Sequence, residues 1–472
     1  MTNENRNRYL LMNTIFFALG NIGSKMISFF LIPLYTNALS TKEYGAADLI
    51  STISMVTGPI ITLNIAEAVM RFGLDKNAEK DKNTQCGFFI FFFSVFAGTI
   101  LIPICNNIEG IQEYSFYVYF YVISLAFNQL FLCDLRGKEL LVQYSICNIL
   151  QTFLIAVLNI VFLLGLKMKT DGFLLAYIVA NFIVAIIAVI MGKGYRSFRL
   201  RGIEKKTLKN MIRYSVVLIP NTFMWWIMNS SDRMMVTYMV GAAANGIYAI
   251  SYKIPTLVST LTNIFNQAWS YSAIREEGTS DEDDYSNRVL ENLISTVVIM
   301  GLFLLLITKP FFRIYVASDY YEAWKYTPFL VVGCVYLTIG TFMATSYTVH
   351  KDSFGYLFSG MFGAILNIIL NFCMIPLIGV YGASLATCIS YIAVFVFRFF
   401  HTRKYIHYNV FNKEFILETV FLLLSAVLMF IDNSVGILLQ IAVLLFDCVL
   451  FYKNWLLMLK NIFHKIKNRK LL

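Results

Sequence analysis

The sequence predicts an all-α integral membrane protein of about 14 transmembrane helices, in two six-helix lobes with an accessory C-terminal pair. Three observations carry that expectation. Of 472 residues, 58% are apolar, 16% aromatic and only 14% charged, against about 25% charged in a soluble domain, and the mean hydropathy is +0.66. Apolar stretches long enough to span hydrocarbon recur from one end of the chain to the other. Lysine and arginine also alternate by connection: the even-numbered connections and both termini hold roughly 29 and the odd-numbered ones roughly 6, with 3 inside the spans. Both termini are therefore expected in the cytoplasm.

Windows of about 19 residues place spans 1 to 6 at 9–35, 44–66, 86–106, 114–133, 141–166 and 172–192. Span 1 is longer than a signal-peptide core and lacks a small-residue cleavage site, so it is expected to stay in the mature chain. Spans 7 to 12 follow at 214–239, 246–273, 289–308, 326–349, 354–377 and 380–400, and a last pair at 415–431 and 434–452. The expected organisation is an N-terminal lobe over 1–192, a basic linker over 193–213, a C-terminal lobe over 214–401, and accessory helices with a basic tail over 402–472. Glu43-Tyr44-Gly45-Ala46-Ala47 and Asn245-Gly246-Ile247-Tyr248-Ala249 open spans 2 and 8 alike. Six helices per group return the chain to the same side, which predicts parallel repeats.

The net charge of +10 does not call for nucleic acid. Lys193, Arg196, Arg199, Arg201, Lys205, Lys206, Lys209 and Arg213 form a linker suited to anionic lipid, and Lys460, Lys465, Lys467, Arg469 and Lys470 form a second such patch. Arg398 is counted with the inward loop at the end of span 12. The acidic run Glu276, Glu277, Asp281, Glu282, Asp283 and Asp284 reads as a solvated, mobile inward loop. The cysteines form no CxxC pair and read as small buried hydrophobes. The sequence has no P-loop and no outward loop longer than the roughly 17 residues at Lys309–Lys325. An ATP-driven pump is excluded within this chain, a membrane polymerase or glycosyltransferase is disfavoured, and the chain reads as a non-enzyme with no cofactor or metal.

Lys25, Arg233 and Lys253, with Asp232 beside the second, sit well inside spans, where each charge costs about 2.5–3.5 kcal/mol on insertion scales. Helical rise puts all four in the outer half of the bilayer. Polar residues share their faces: Asn21 with Lys25 on span 1, Asn221 with Asp232 on span 7, and Lys253 with Asn263 and Gln267 on span 8, while Asp48 heads a stripe on span 2. One reading makes the stripes interhelical hydrogen-bonding faces, with Asp232 paired to a basic neighbour. The other makes them walls of a hydrated cavity whose excess positive charge attracts an anion such as a diphosphate. Pro59, Pro220 and Pro255 are candidate bends. Glu67 and Arg71, four apart, read as a surface ion pair or an inner gate.

Asn21-Ile22-Gly23-Ser24-Lys25, Leu31-Ile32-Pro33-Leu34-Tyr35-Thr36, Glu43-Tyr44-Gly45, Ala68-Val69-Met70-Arg71-Phe72, Ser231-Asp232-Arg233, Gly246-Ile247-Tyr248, Tyr252-Lys253 and Trp269 resemble the polysaccharide transport proteins. These include Wzx-type oligosaccharide-lipid flippases of the multidrug, oligosaccharidyl-lipid and polysaccharide exporter superfamily. The resemblance covers nearly the whole chain, and no single motif in it is a strict signature. It implies two lobes around a central cavity. It further implies a substrate, an undecaprenyl-diphosphate-linked sugar repeat unit, carried from inner to outer leaflet of the cytoplasmic membrane by alternating access. The family's basic cavity residues map here onto Lys25, Arg233 and Lys253. Implied partners are the lipid-linked oligosaccharide, membrane lipid, and the polymerase and glycosyltransferases of surface polysaccharide assembly. The coupling ion, H+ or Na+, stays open, with Asp232 and Asp48 as first candidates. A lipid II flippase and a multidrug or cation antiporter are the alternatives, and the basic balance of intramembrane charge disfavours the second.

Overall fold

Hydrocarbon offers the backbone no partners, so a spanning segment satisfies its N–H and C=O groups most simply as a helix. A computed structural model of the chain is helical throughout, with no strand among the described residues. It describes residue 27 and residues 29–450, apart from 76, 77 and 109, and leaves aside the side chains at 221, 225, 267, 268, 271 and 275.

The first expected span is described only at its end, in α1 (Ile32–Ala38). Span 2 begins at α2 (Thr41–Ile61), which opens on a reciprocal cap: Ser40 Oγ accepts the Glu43 N–H, and the Glu43 carboxylate accepts the Ser40 N–H. It does not run straight. After Pro59 the chain breaks at 62–64 and restarts as α3 (Ile65–Gly73), bent by 63°. Proline lacks the N–H that would continue the ladder. Leu63 and Asn64, both at φ 52°, make the left-handed corner, and the Asn64 N–H reaches back to Pro59 O at 2.6 Å. The helices α4 (Lys80–Gly98) and α5 (Leu101–Cys105), α6 (Ser115–Gly137), α7 (Leu141–Asn159), α8 (Lys169–Met191) and α9 (Lys205–Met239) follow. Span 8 is divided into α10 (Ala242–Ser251) and α11 (Pro255–Glu276), broken where Pro255 starts the second piece. Pro220, by contrast, lies within the continuous α9.

The remaining helices are α12 (Glu282–Tyr315), α13 (Thr327–Val349), α14 (Ser353–Ile378), α15 (Val380–Thr402), α16 (Lys413–Leu428) and α17 (Ser434–Leu450). Seven helical stretches among the described residues are long and apolar enough to cross a membrane, eight if α2 and α3 are one span. The others coincide with expected spans but are shorter or more polar. The most apolar windows of Leu141–Gly165 and Ser353–Ile378 are only 28% buried, whereas that of Thr327–Val349 is 83% buried. Exposed faces carrying Phe153, Ile160, Phe358, Ile365 and Phe372 would aggregate in water and are at home in lipid.

Packing separates two compact units, Met1–Gly246 and Ile247–Leu472. The same scheme holds them internally. In the first unit α6 is the hub, packed on α8 and on the bent α2/α3 pair, while α7 lies on α8. In the second unit α13 is the hub, packed on α15 and α11, while α14 lies on α15. The long α9 packs with the first unit, against α2 and α3.

Two glycines of the echoed motifs meet within the first unit. A Cβ on Gly45 would lie 1.8 Å from Ala242 O, and one on Gly246 would lie 2.0 Å from Thr41 O. Asn245 Nδ2 donates to Gly45 O at 3.0 Å. Small residues let helix backbones approach this closely without help from the hydrophobic effect.

Several polar segments differ from their expected state. Glu282, Asp283 and Asp284 occupy the first turn of α12, where the helix dipole favours anions, and Glu276 ends α11, so four of the six acidic residues are in helix and not loop. The stretch 309–325, expected as an outward loop, is largely helical: α12 runs to Tyr315, and Ser318–Lys325 forms a 3₁₀ helix. Its Lys309 pairs with Asp432 and lies 3.8 Å from the Trp324 ring centre. Arg398 is buried and not turned to a loop, because Ser359 Oγ and Gly340 O accept its Nε and Nη1 protons at 3.2 Å. It thereby ties α13, α14 and α15 together. Six cysteines are buried, Cys448 is half-buried and Cys373 is exposed.

Two predictions concern stability. Gly45→Ala and Gly246→Ala force the helices apart and should each destabilise by about 1–3 kcal/mol, read as a lower thermal unfolding midpoint in detergent. Gly58→Ala, with nothing within 4 Å of the new methyl, should leave it unchanged or higher. Asp352, between α13 and α14, caps α14 through the Gly355 N–H and accepts from Lys404 Nζ at 3.0 Å and Tyr405 Oη at 2.8 Å. These donors, the backbone N–H foremost, hold its carboxyl well below the usual aspartate range. A depressed folded-state pKa gives stability that is complete above the ordinary value of about 3.9 and is lost as pH falls below it. Asp352→Asn should therefore lower the midpoint at neutral pH and narrow its gap from wild type in acid.

Candidate functional site

The charges expected inside the spans divide between the two units. In the first, Asp48 stands two turns into α2 and Arg233 in the last turns of α9. Arg233 Nη1 donates to Asp48 Oδ1 at 3.0 Å, with side chains 17% and 10% exposed. Two helical turns earlier on α9, Trp226 Nε1 donates to Thr52 O at 2.7 Å. The spacing of seven on α9 and four on α2 keeps both contacts on one seam of antiparallel helices. Asp232 is buried, and its Oδ1 accepts the Arg233 backbone N–H at 2.9 Å. The carboxylate opposite Arg233 therefore belongs to a different helix 185 residues away, not to its neighbour in sequence. At this level the stripe on α2 is an interhelical seam.

Aromatic rings close around the pair. Tyr44 precedes Asp48 by one turn and is 6.1 Å from Tyr35, ring centre to ring centre. Phe173 lies 5.0 Å from Tyr35 and 4.9 Å from Tyr177, and Tyr177 lies 5.8 Å from Tyr121. Tyr35, Tyr44 and Tyr121 are buried. This wall, contributed by α1, α2, α6 and α8, excludes water and strengthens the attraction between Asp48 and Arg233. Tyr35 and Tyr44 stand in two of the motifs that carry the family resemblance. The spacing of four from Tyr44 to Asp48 was the available signal for a shared face.

Lys253 belongs to the second unit and lies in the break between α10 and α11. It is half-buried, its N–H donates to Ile250 O at 3.0 Å, and Thr256 Oγ1 donates to its carbonyl at 2.7 Å. Along α11, Thr256 and Asn263 are exposed. The opposite face packs on α13, with Thr262 Oγ1 3.0 Å from Thr338 Oγ1 and Trp269 stacked on Phe342 at 4.6 Å. Thr256 and Asn263 thus lie on the face of that helix turned away from α13. Lys25 and Asn21 lie outside the described residues, as do the side chains of Asn221 and Gln267.

At the other end of α3 the expected Glu67–Arg71 ion pair is replaced. Arg71 pairs with Asp75 at 2.6 Å, both exposed, while Glu67 is half-buried. In this nine-residue helix Glu67 falls in the first turn and Arg71 in the last, each at the end its charge favours. The Arg71 guanidinium is then free to reach past the helix end.

Residues 10–271 match the family described as polysaccharide biosynthesis protein. An uncharacterized membrane protein of Methanocaldococcus jannaschii is 23% identical over 428 residues, covering 84% of this chain and 99% of that one. Among solved structures, a lipid II flippase, MurJ, in an inward closed conformation superposes with a TM-score of 0.64 at 16% identity, covering 94% of this chain and 100% of that one. An inward-facing multidrug resistance MATE family transporter of the MOP superfamily superposes with a TM-score of 0.61 at 13% identity, covering 82% and 93%. At these identities the two structures establish a shared fold.

Removing one partner of the buried pair leaves an uncompensated charge, so Asp48→Asn should destabilise by about 3 kcal/mol. Asp48→Asn with Arg233→Met, which removes both charges, should recover most of that loss. Thermal unfolding of the purified protein in detergent measures both.

Proposed function

Because the chain belongs to the polysaccharide biosynthesis protein family, we propose that it flips a polyprenyl-diphosphate-linked oligosaccharide, in bacteria undecaprenyl-linked, from the inner to the outer leaflet. The family match, on a multi-pass membrane fold shared with flippase and transporter structures, is the observation that carries this reading. In it the chain resides in the cytoplasmic membrane with both termini inside. Fourteen spans are grouped as lobes 1–192 and 214–401, tethered by 193–213 and followed by the accessory region 402–472.

The chemistry of the substrate sets what the protein must supply. Sugars and diphosphate cannot cross hydrocarbon unaided, while the polyprenyl chain can stay in it. Lys25, Arg233 and Lys253 meet the diphosphate, and Asn21, Asn221, Asn263 and Gln267 serve the sugars. Arg233 is held by Asp48, so in this reading it changes partner when the diphosphate arrives. Outward movement of an anion gains about 2.3 kcal/mol per charge per 100 mV of inside-negative potential, which provides a driving force.

Disrupting the gene and analysing polyprenyl-linked sugars by mass spectrometry tests the reading. Accumulated lipid-linked oligosaccharide and lost surface polysaccharide are expected. Unchanged lipid-linked sugars with heightened sensitivity to cationic dyes would instead favour a drug antiporter. On complementation, Lys25→Ala, Lys253→Ala and the double variant Asp48→Asn with Arg233→Met, which leaves no unpaired buried charge, should each lower surface polysaccharide about tenfold, the effect of losing one charge-assisted contact of about 1.4 kcal/mol. Full activity in all three would remove the cationic layer from the mechanism.

A further inference from the structure

The accessory helices bury two carboxylates. In the antiparallel α16 and α17, Gln440 Nε2 donates to Ser425 O at 3.0 Å, and the rings of Phe421 and Phe446 are 5.6 Å apart. The same register sets Glu418 opposite Asp447. Glu418 is 2% exposed, and its Oε1 accepts from Ser295 Oγ of α12 at 2.7 Å. Asp447 is 1% exposed, and neither of its carboxylate oxygens has a hydrogen-bond partner among the described residues.

A buried carboxylate without donors is not sustained as an ion; it takes up a positive charge or a proton. Two facing each other cannot both ionise. Among the described residues, the groups lining the Glu418 side add no cation. Glu291 and Ser295 from α12 and Asn409, Asn412, Glu414 and Glu418 line a narrow pocket that reaches the Glu418 carboxylate. From α13, the Tyr336 hydroxyl is directed to Thr419. No lysine, arginine or histidine lines the pocket among the described residues. No three His, Cys, Asp or Glu converge as metal ligands among those residues either, which argues against a divalent ion.

We propose that Glu418 and Asp447 form a proton-binding site, the pair holding one proton at neutral pH and exchanging it with water through the pocket at Glu414 and Asn412. Binding takes one proton from water and changes the charge of the pair from −2 to −1. Ser295 donates to the Glu418 carbonyl oxygen and leaves the other oxygen for the proton. The site does not depend on which substrate the protein moves.

Infrared spectroscopy of the full-length protein in lipid nanodiscs tests this through the C=O band of protonated carboxyls. At neutral pH, Glu418→Gln with Asp447→Asn should lose one carboxyl's worth of band intensity, and that same component should vanish from the wild type in alkali. Ser295→Ala keeps both acids and should move the component to higher frequency by removing its hydrogen bond. This arm holds even if the double variant fails to fold. Exchanging K+ for Na+ at fixed pH should leave the band in place. Equal band intensity in the wild type and the folded double variant overturns the proposal, as does an unshifted component in Ser295→Ala. Loss of the band on adding Na+ also overturns it, by making sodium the occupant. None of these readouts uses transport, so they stand or fall separately from the flippase reading.

Discussion

Lipid leaves a polar group no partner except another part of the protein, and the internal arrangement of each unit follows from that. The backbone answers it by being helical and by closing its own breaks, as the Asn64 N–H does on Pro59 O where α2 gives way to α3. The side chains answer it by crossing between helices. Arg233 reaches Asp48, Trp226 reaches a backbone carbonyl of α2, and Arg398 reaches Ser359 and Gly340. Each such contact fixes one helix against another at a defined height, which apolar packing in an apolar solvent does less sharply. Asn245 bonded to Gly45 O shows the same logic at the tightest crossing, where removing side chains lets the backbones serve as partners themselves.

How much of this was legible follows from which interactions are local. Helix positions were readable because hydropathy and basic flanks are properties of one segment, but helix ends were not: α9 starts at Lys205 and α12 runs from Glu282 to Tyr315, each continuing into polar sequence beyond its apolar stretch. Pro59 marked a bend because a missing N–H is visible in the sequence, but the corner itself falls at residues 62–64, set by left-handed backbone at Leu63 and Asn64. The partner of Arg233 was not readable. Asp232 is adjacent in the chain, yet its Oδ1 accepts the Arg233 backbone N–H and not the guanidinium that reaches Asp48, and periodicity gives the face of a helix without saying which helix it meets. Arg398 misled for the opposite reason. A basic residue at a helix end ordinarily reaches for the interface, and only packing reveals the two oxygens that keep it inside.

Glu418 and Asp447 escaped notice because a window average dilutes a single acid among apolar neighbours. Their helices read as a plain hydrophobic hairpin, an accessory to a transport core complete without it. Burial changes that reading. An acid retained in a membrane helix without a basic partner is costly in a way that serine or glutamine at the same place would not be, so its presence in both helices, at matching heights, calls for a function in the charge itself.

The Asp48–Arg233 pair makes a parallel demand on the flippase mechanism. A buried ion pair is weak evidence for stability, since desolvation opposes most of the attraction, but removal of one member is strongly unfavourable. When a diphosphate draws Arg233 away, Asp48 remains as a bare carboxylate among Tyr35, Tyr44 and Tyr121, in a wall that admits little water. In the proposed mechanism the exchange of partners therefore calls for another positive charge beside Asp48. Arrival of the anion and arrival of that cation then become linked steps, because each lowers the cost of the other.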